Sequence, residues 1–292
     1  MSIQDILCER CDGKNIKKDG VRETKNRGNV QRYKCKDCSH RFSIDDGFWK
    51  MKNHENKITS CMNMYYAGMS LRKIQEHMQM FAPKNSHYST IYRWIVKYVN
   101  MISTLTDNIQ IQSGQELMSD EMEYHRLGEQ NWFVDVMDTE TRFMVASDYG
   151  RTRSSKEIKS VMNNIKAKTD NQIKVVTTDG FFAYKKVVKS VFGWNNKLQR
   201  YNVLHNVVIA SERGFNHPIE RLHNSIRERT KVMRGFHGCM ESASAIMKGY
   251  EIYYNFIRKH QGIDNKTPQE EAVPELALST NKWLSLIKLS KT

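Results

Sequence analysis

Nowhere does this 292-residue chain approach the run of roughly 18 apolar residues that a membrane-spanning helix needs. A membrane function is not expected. The opening residues, Met1 to Cys8, lack the charged start and long apolar core of a secretion signal. The expected setting is therefore the cytoplasm. Cysteine is scarce, with six residues in all. Two disulfides would not suit a reducing compartment. Acidic residues are outnumbered, 32 Asp and Glu against 46 Lys and Arg, for a net charge of +14. Such a balance points to a polyanionic partner.

The charge is not spread evenly. Residues 101–150 carry ten Asp/Glu against two Lys/Arg, a net −8. Residues 1–100 carry 19 Lys/Arg against ten acids, and residues 151–200 carry 12 against three, each a net +9. An acidic island between basic segments suits metal ions held beside a DNA-binding surface. The length suits about two domains.

Four of the six cysteines form two pairs, Cys8-x2-Cys11 and Cys35-x2-Cys38. The short x2 loop lets both sulfurs of a pair face one ion, which is tetrahedral zinc spacing. Lys17 to Gly20 and Asn26 to Asn29 read as turns between short polar strands. Residues 1–50 are thus expected to be a zinc ribbon with a structural Zn2+. Its core is too small to fold alone, and metal binding would supply on the order of 10–16 kcal/mol. Cys61 and Cys239 are isolated and read as small core residues.

Residues 51–104 carry helical periodicity. Ile58, Cys61, Met62, Met64 and Tyr65 form a first apolar stripe. Ala67-Gly68-Met69-Ser70 is a turn ending in a good N-cap. Leu71, Ile74 and Met78 follow at helical spacing, and residues 81–86 break the pattern. Ser89 is expected to cap a third helix running to Val99. Helix, Gly-containing turn and a basic final helix resemble a helix-turn-helix DNA-binding domain. Ser89, Thr90, Arg93 and Lys97 would then face DNA, with Ile91, Trp94, Ile95 and Tyr98 packed inward. An ordinary helical bundle would show the same periodicity. Residues 105–114 read as a linker.

From 115 the period shortens to two. Met118, Asp120, Met122 and Tyr124 would share one strand face, leaving Ser119, Glu121 and Glu123 on the other. Asp120 is the acid among apolar neighbours, whereas Glu121 and Glu123 read as solvated. Two strands follow, Trp132 to Met137 and Arg142 to Ser147, joined by a turn that begins at Asp138. A helix starts near Ser154. A buried strand from Ile173 to Thr178 ends at Asp179-Gly180, and a helix then leads to a short strand from Tyr201 to His205. These elements predict an α/β domain with a mixed sheet. Asp179 sits at the carboxyl end of a strand, where ligands collect in open α/β sheets. Pro218 suits the first position of a helix, which places Glu220 in its first turn. Glu220, Asn224, Arg227 and Lys231 then share one face, with Ile219, Leu222 and Ile226 on another. Gly235 is expected to stop that helix. Two divalent metals held by separated carboxylates are a general device for cutting and joining phosphodiesters. Asp135 and Asp138 are rivals for the first acid and Glu212 for the third. His205 reads as a strand-end residue, and Tyr253, Tyr254 and Phe256 as helix core.

At these residues the chain resembles insertion-sequence DDE transposases of the retroviral-integrase, RNase H-like superfamily. Thr177-Thr178-Asp179-Gly180 with Tyr184 is similar to that family's second-acid motif. Tyr254 to His260 with Thr267-Pro268-Gln269-Glu270 is similar to its C-terminal segment. Arg227, seven residues after Glu220, is similar to its basic residue following the glutamate. The 40-residue gap between Asp179 and Glu220 is longer than usual and implies an insertion near Trp194 to Arg213.

The resemblance implies a multidomain α+β protein. Its parts would be a zinc ribbon (1–50), a helix-turn-helix domain (51–104), a linker (105–114), an RNase H-like catalytic domain (115–272) and a C-terminal tail (273–292). Asp120, Asp179 and Glu220 would be the catalytic acids, holding two Mg2+ or Mn2+ ions. Asn224, Arg227 and Lys231 would bind DNA beside them. The implied activity is DNA transposition, with cleavage at terminal inverted repeats followed by strand transfer into target DNA. The implied assembly is a homodimer or higher oligomer associated with the nucleoid. A domesticated DNA-binding regulator and a non-transposing nuclease of the same fold are the alternatives.

Overall fold

The computed structural model describes residues 6–24, 28–169, 172–208, 217–233 and 235–291. The rival acid Glu212 lies outside them, as does part of the expected insertion.

The amino-terminal unit is a three-stranded antiparallel sheet of β1 (Ile16–Thr24), β2 (Gly28–Cys35) and β3 (Arg41–Phe42). The first expected turn, at Lys17 to Gly20, is instead part of β1. The strand register shifts between Lys18 and Val21, where Gly20 adopts a φ of 75°. An Asp-Gly pair here makes a bulge, because glycine takes a positive φ without steric cost. Ile6, Cys8, Ile16, Cys35 and Phe42 form this unit's own small core.

Three helices follow: α1 (Glu55–Tyr66), α2 (Leu71–Phe81) and α3 (Tyr88–Thr106). Ser70 caps α2 by accepting from the Lys73 amide. The cap of α3 is His87 rather than Ser89: its Nδ1 accepts from the Ser89 amide, and Ser89 lies inside the first turn. Along α3, Ile91, Trp94, Ile95, Tyr98 and Val99 are buried, while Arg93 and Lys97 are exposed. This is the stripe that a 3.6-residue period requires of a half-buried helix.

The central sheet runs in the order β10-β7-β4-β5-β6. Its strands are β4 (Glu116–Glu123), β5 (Trp132–Asp138), β6 (Met144–Gly150), β7 (Val175–Thr178) and β10 (Leu204–Val207). β4, β5 and β6 are antiparallel neighbours, whereas β7 pairs parallel with both β4 and β10. Asp138 staples the β5–β6 turn, accepting from the Gly114 and Glu140 amides and the Thr141 hydroxyl. It is a structural residue, fully buried.

Helices cover both faces. α5 (Phe182–Phe192) lies against the face of β4 bearing Ser119, whose hydroxyl meets Tyr184 Oη at 3.1 Å. α4 (Ser155–Lys168) packs beside it. α6 (His217–Thr230) lies against the face bearing Asp120. It ends at Thr230, before Gly235, and a 3-10 turn carries the chain to Met233. The expected strand from Tyr201 to His205 is two strands. Arg200–Tyr201 (β9) pairs with Trp194–Asn195 (β8) in a separate hairpin, and β10 forms the sheet edge.

The helical unit and the sheet share one continuous core. α7 (Met240–Ile252) bridges them, packing on both α3 and β6. Gly249 allows this: a Cβ there would overlap the Tyr66 hydroxyl of α1. A π-turn over Tyr253–Ile257 follows, burying Tyr254 and Phe256. After α8 (Pro268–Ala272), capped by Thr267 and Glu270 as a capping box, the segment expected as a tail carries α9 (Lys282–Leu289). Trp283 stacks on Tyr66 and donates to Asn63 of α1. Cys61 is in the core as expected, but Cys239 is exposed at the start of α7. Among the described residues, no helix is long and apolar enough to cross a membrane.

Candidate active site

Two ligand-like clusters stand out among the described residues. The first is the cysteine set. Cys8, Cys11, Cys35 and Cys38 place their sulfurs within 4.8 Å of one another, with Cys8 to Cys38 at 3.5 Å and Cys11 to Cys35 at 3.7 Å. Four thiols converging from two x2 loops fit one tetrahedral zinc ion.

The second is acidic. Asp120, Glu121 and Asp179 bring carboxylate oxygens within 4.8 Å of one another. Parallel pairing explains the meeting of the first and last. Ser119 on β4 lies beside Thr178 on β7, so the residues just beyond, Asp120 and Asp179, emerge together at one end of the sheet. Asp179 is held by the Phe181 amide, which donates to its Oδ1 at 2.9 Å. Asp120 Oδ1 accepts from the Glu121 amide at 2.8 Å.

Glu121 departs from its expected solvation. It is half-buried, and its Oε1 has no hydrogen-bond partner among the described residues. Burial pushes its carboxyl up to about 8, with Asp179 and Asp120 adding and Arg153 opposing. Burial likewise raises Asp120 to about 6, against the pull of His223. Carboxyls crowded and desolvated in this way favour a shared cation.

Glu220 lies in the first turn of α6, exposed, and is not a member of this cluster. The helix that carries it nevertheless abuts the site. His223, one turn on, is buried, with Nε2 2.6 Å from Asp135 Oδ1 and Nδ1 3.7 Å from Asp120 Oδ2. Burial alone would lower the imidazole pKa, but the charge and hydrogen bond of Asp135 outweigh it, and the net shift is upward. Asp135 is thus a buried support for the site. Asn224, Arg227 and Lys231 are exposed as expected. His205 bonds the Thr178 hydroxyl at 2.9 Å and joins no metal-like group.

The sheet is mixed and five-stranded, with the acids where its parallel strands β4 and β7 cease to pair. Residues 119–261 match the family described as "DDE domain". This segment is a DDE transposase catalytic domain. No curated protein matches the chain. Among solved structures, the simian T-cell lymphotropic virus intasome in complex with PP2A regulatory subunit B56 gamma is similar at 12% identity and a TM-score of 0.41. That match covers 56% of this chain and only 55% of the other. The HTLV-2 integrase catalytic core domain in complex with magnesium, in its dimeric form, is similar at 14% identity and a TM-score of 0.39, covering 55% of this chain and 97% of that one.

Proposed function

We propose that this protein is a transposase that binds the terminal inverted repeats of its element and carries out metal-dependent DNA cleavage and strand transfer. The observation that carries the reading is the convergence of Asp120, Glu121 and Asp179 at one sheet end of a DDE domain. Their donor set, all carboxylate oxygen with an unpartnered buried Oε1, fits hard divalent cations such as Mg2+ or Mn2+. Two such ions, when bound, activate the attacking water and neutralise charge on the leaving oxygen.

Asp120 and Asp179 are the first two acids, each oriented by a backbone amide. Glu220 is the third. Its place is supported by His223, which brings α6 against Asp120 three residues further along the same helix. Glu121 is an auxiliary carboxylate. Asn224, Arg227 and Lys231 hold DNA phosphates beside the acids. Water attacks the phosphate at the element's end. A P–O bond to water forms, the bond to O3′ breaks, and the 3′ oxygen leaves as a hydroxyl. That hydroxyl attacks a target-DNA phosphorus in turn: a new P–O3′ bond forms, the target's own P–O3′ bond breaks and its 3′ oxygen leaves as a hydroxyl, with no covalent protein–DNA intermediate.

The ribbon, holding a structural Zn2+, and α3, through Ser89, Thr90, Arg93 and Lys97, grip the repeats. Exposure of Arg93 and Lys97 on α3 supports this role. Pairing of two ends calls for a dimer or a larger assembly, working at the nucleoid. The test is a strand-transfer assay on terminal-repeat DNA with Mg2+ or Mn2+, wild type beside Asp179→Ala. The variant should bind ends and join none; joining by the variant would refute the site.

A further inference from the structure

We propose that Arg153 is a phosphate-binding residue of this active site, gripping the DNA strand next to the acids. The inference rests on the transposase reading above. Arg153 lies in the loop between β6 and α4. Its guanidinium carbon is 4.0 Å from the ring centre of Trp132 and 4.5 Å from that of Phe181. Both rings belong to the catalytic end of the sheet. Trp132 opens β5 opposite Glu123 of β4 and Gly150 of β6. Phe181 follows Asp179 by two residues and donates its amide to that carboxylate. The positive charge of Arg153 is felt at Glu121.

The location is paired with an unusual bonding state. A guanidinium has five N–H donors and cannot lose its charge in a protein. Among the described residues, Arg153 makes no ion pair and no hydrogen bond through them. Its stabilising contacts are to ring faces, which hold the group without using its edge donors. The edge of a guanidinium so held matches two phosphate oxygens in a bidentate pair, with little conformational freedom left to lose. A structural arginine would be expected to spend its donors on carbonyls or on the nearby Glu121 carboxylate. The ligand implied is a DNA phosphodiester lying beside the acids.

The test uses the full-length protein with Arg153→Met, which keeps an unbranched stem against the rings, and Arg153→Lys, which keeps charge without the fork. Two quantities are read: the slope of log affinity against log salt for terminal-repeat DNA, and the cleavage rate at saturating DNA. Removing one phosphate contact should lower the slope by about one in the Met variant and leave it near wild type in the Lys variant. Cleavage should fall about 10- to 100-fold in the Met variant, as loss of one bidentate contact implies. Melting curves separate this from misfolding, and Arg153→Gln, which also removes the charge and should lower the slope equally, preserves the test if the Met variant is unstable. An unchanged slope in the charge-removing variant overturns the proposal whatever the rate. A lower slope with unchanged cleavage places Arg153 on DNA but outside the reacting site, and also overturns it. If the wild type cleaves nothing, the transposase reading fails by itself, and the slope still decides whether Arg153 holds DNA.

Discussion

His223 Nε2 lies 2.6 Å from Asp135 Oδ1, and this buried contact ties α6 to the strand beside the one that carries Asp120. Removing one partner strands the other without water. Asp135→Ala or His223→Ala should therefore cost about 3–5 kcal/mol, measured by urea unfolding. The raised pKa of His223 gives the effect a sign. Its contribution should be complete below the ordinary histidine value near 6.5 and be lost as pH climbs through the higher folded value. Equal stability of wild type and His223→Ala at pH 6 would show that the contact does not hold the helix.

The third acid can be settled by paired substitutions. Glu220→Gln should abolish cleavage. Glu121→Gln should leave cleavage measurable and raise the Mg2+ concentration needed for half-maximal rate. The opposite ranking would move the third role to Glu121.

The acid cluster should make the metal-free protein sensitive to base. Glu121 near 8 and Asp120 near 6 both favour the protonated form in the folded state. Their unfolded counterparts ionise near 4, so metal-free stability should fall as pH rises from about 4 to 8. Mg2+ should restore it, raising the melting temperature more at pH 8 than at pH 5.5. Calorimetry in EDTA and in Mg2+ checks both signs.

Zinc should be stoichiometric, one ion per chain, by elemental analysis. Stripping it, or replacing Cys35 with Ser, should unfold the ribbon and weaken end binding while the sheet's circular dichroism persists. The ribbon's own small core, separate from the large core shared by the helices and the sheet, underlies this expectation.

Gly249→Ala should destabilise the protein by a few kcal/mol, on the order of an overpacked core substitution. The added methyl meets the Tyr66 ring system, which is fixed by Tyr250 and Trp283. Denaturant midpoints would report it.

Much of this was readable from the sequence because the elements keep their periods. The apolar stripe of α3 and the β-branched run Val175 to Thr178 name their structures directly. Asp179 could be placed because strand ends and Gly180 mark it. Glu121 was misread: alternation sends its side chain away from Asp120, but β7 stops beside Ser119, so both acids lie past its last paired residue and reach Asp179. His223 carries no local signal at all, since its partners lie 88 and more residues away. The β8–β9 hairpin has two-residue strands, too short for any period to show. The His87 cap was missed because an imidazole nitrogen took the place usually filled by a hydroxyl or carboxylate.

The docking of α9 on α1 has a consequence for how the molecule is made. Asn281 bonds Thr59, and Lys288 pairs with Glu55, more than 220 positions earlier in the chain. Contacts so distant form late in folding. While it is being synthesised, the helical unit must therefore wait, with Tyr66 uncovered, until α9 has left the ribosome. A fragment limited to residues 1–104 would lack Tyr250 and Trp283 and keep that aromatic surface in water.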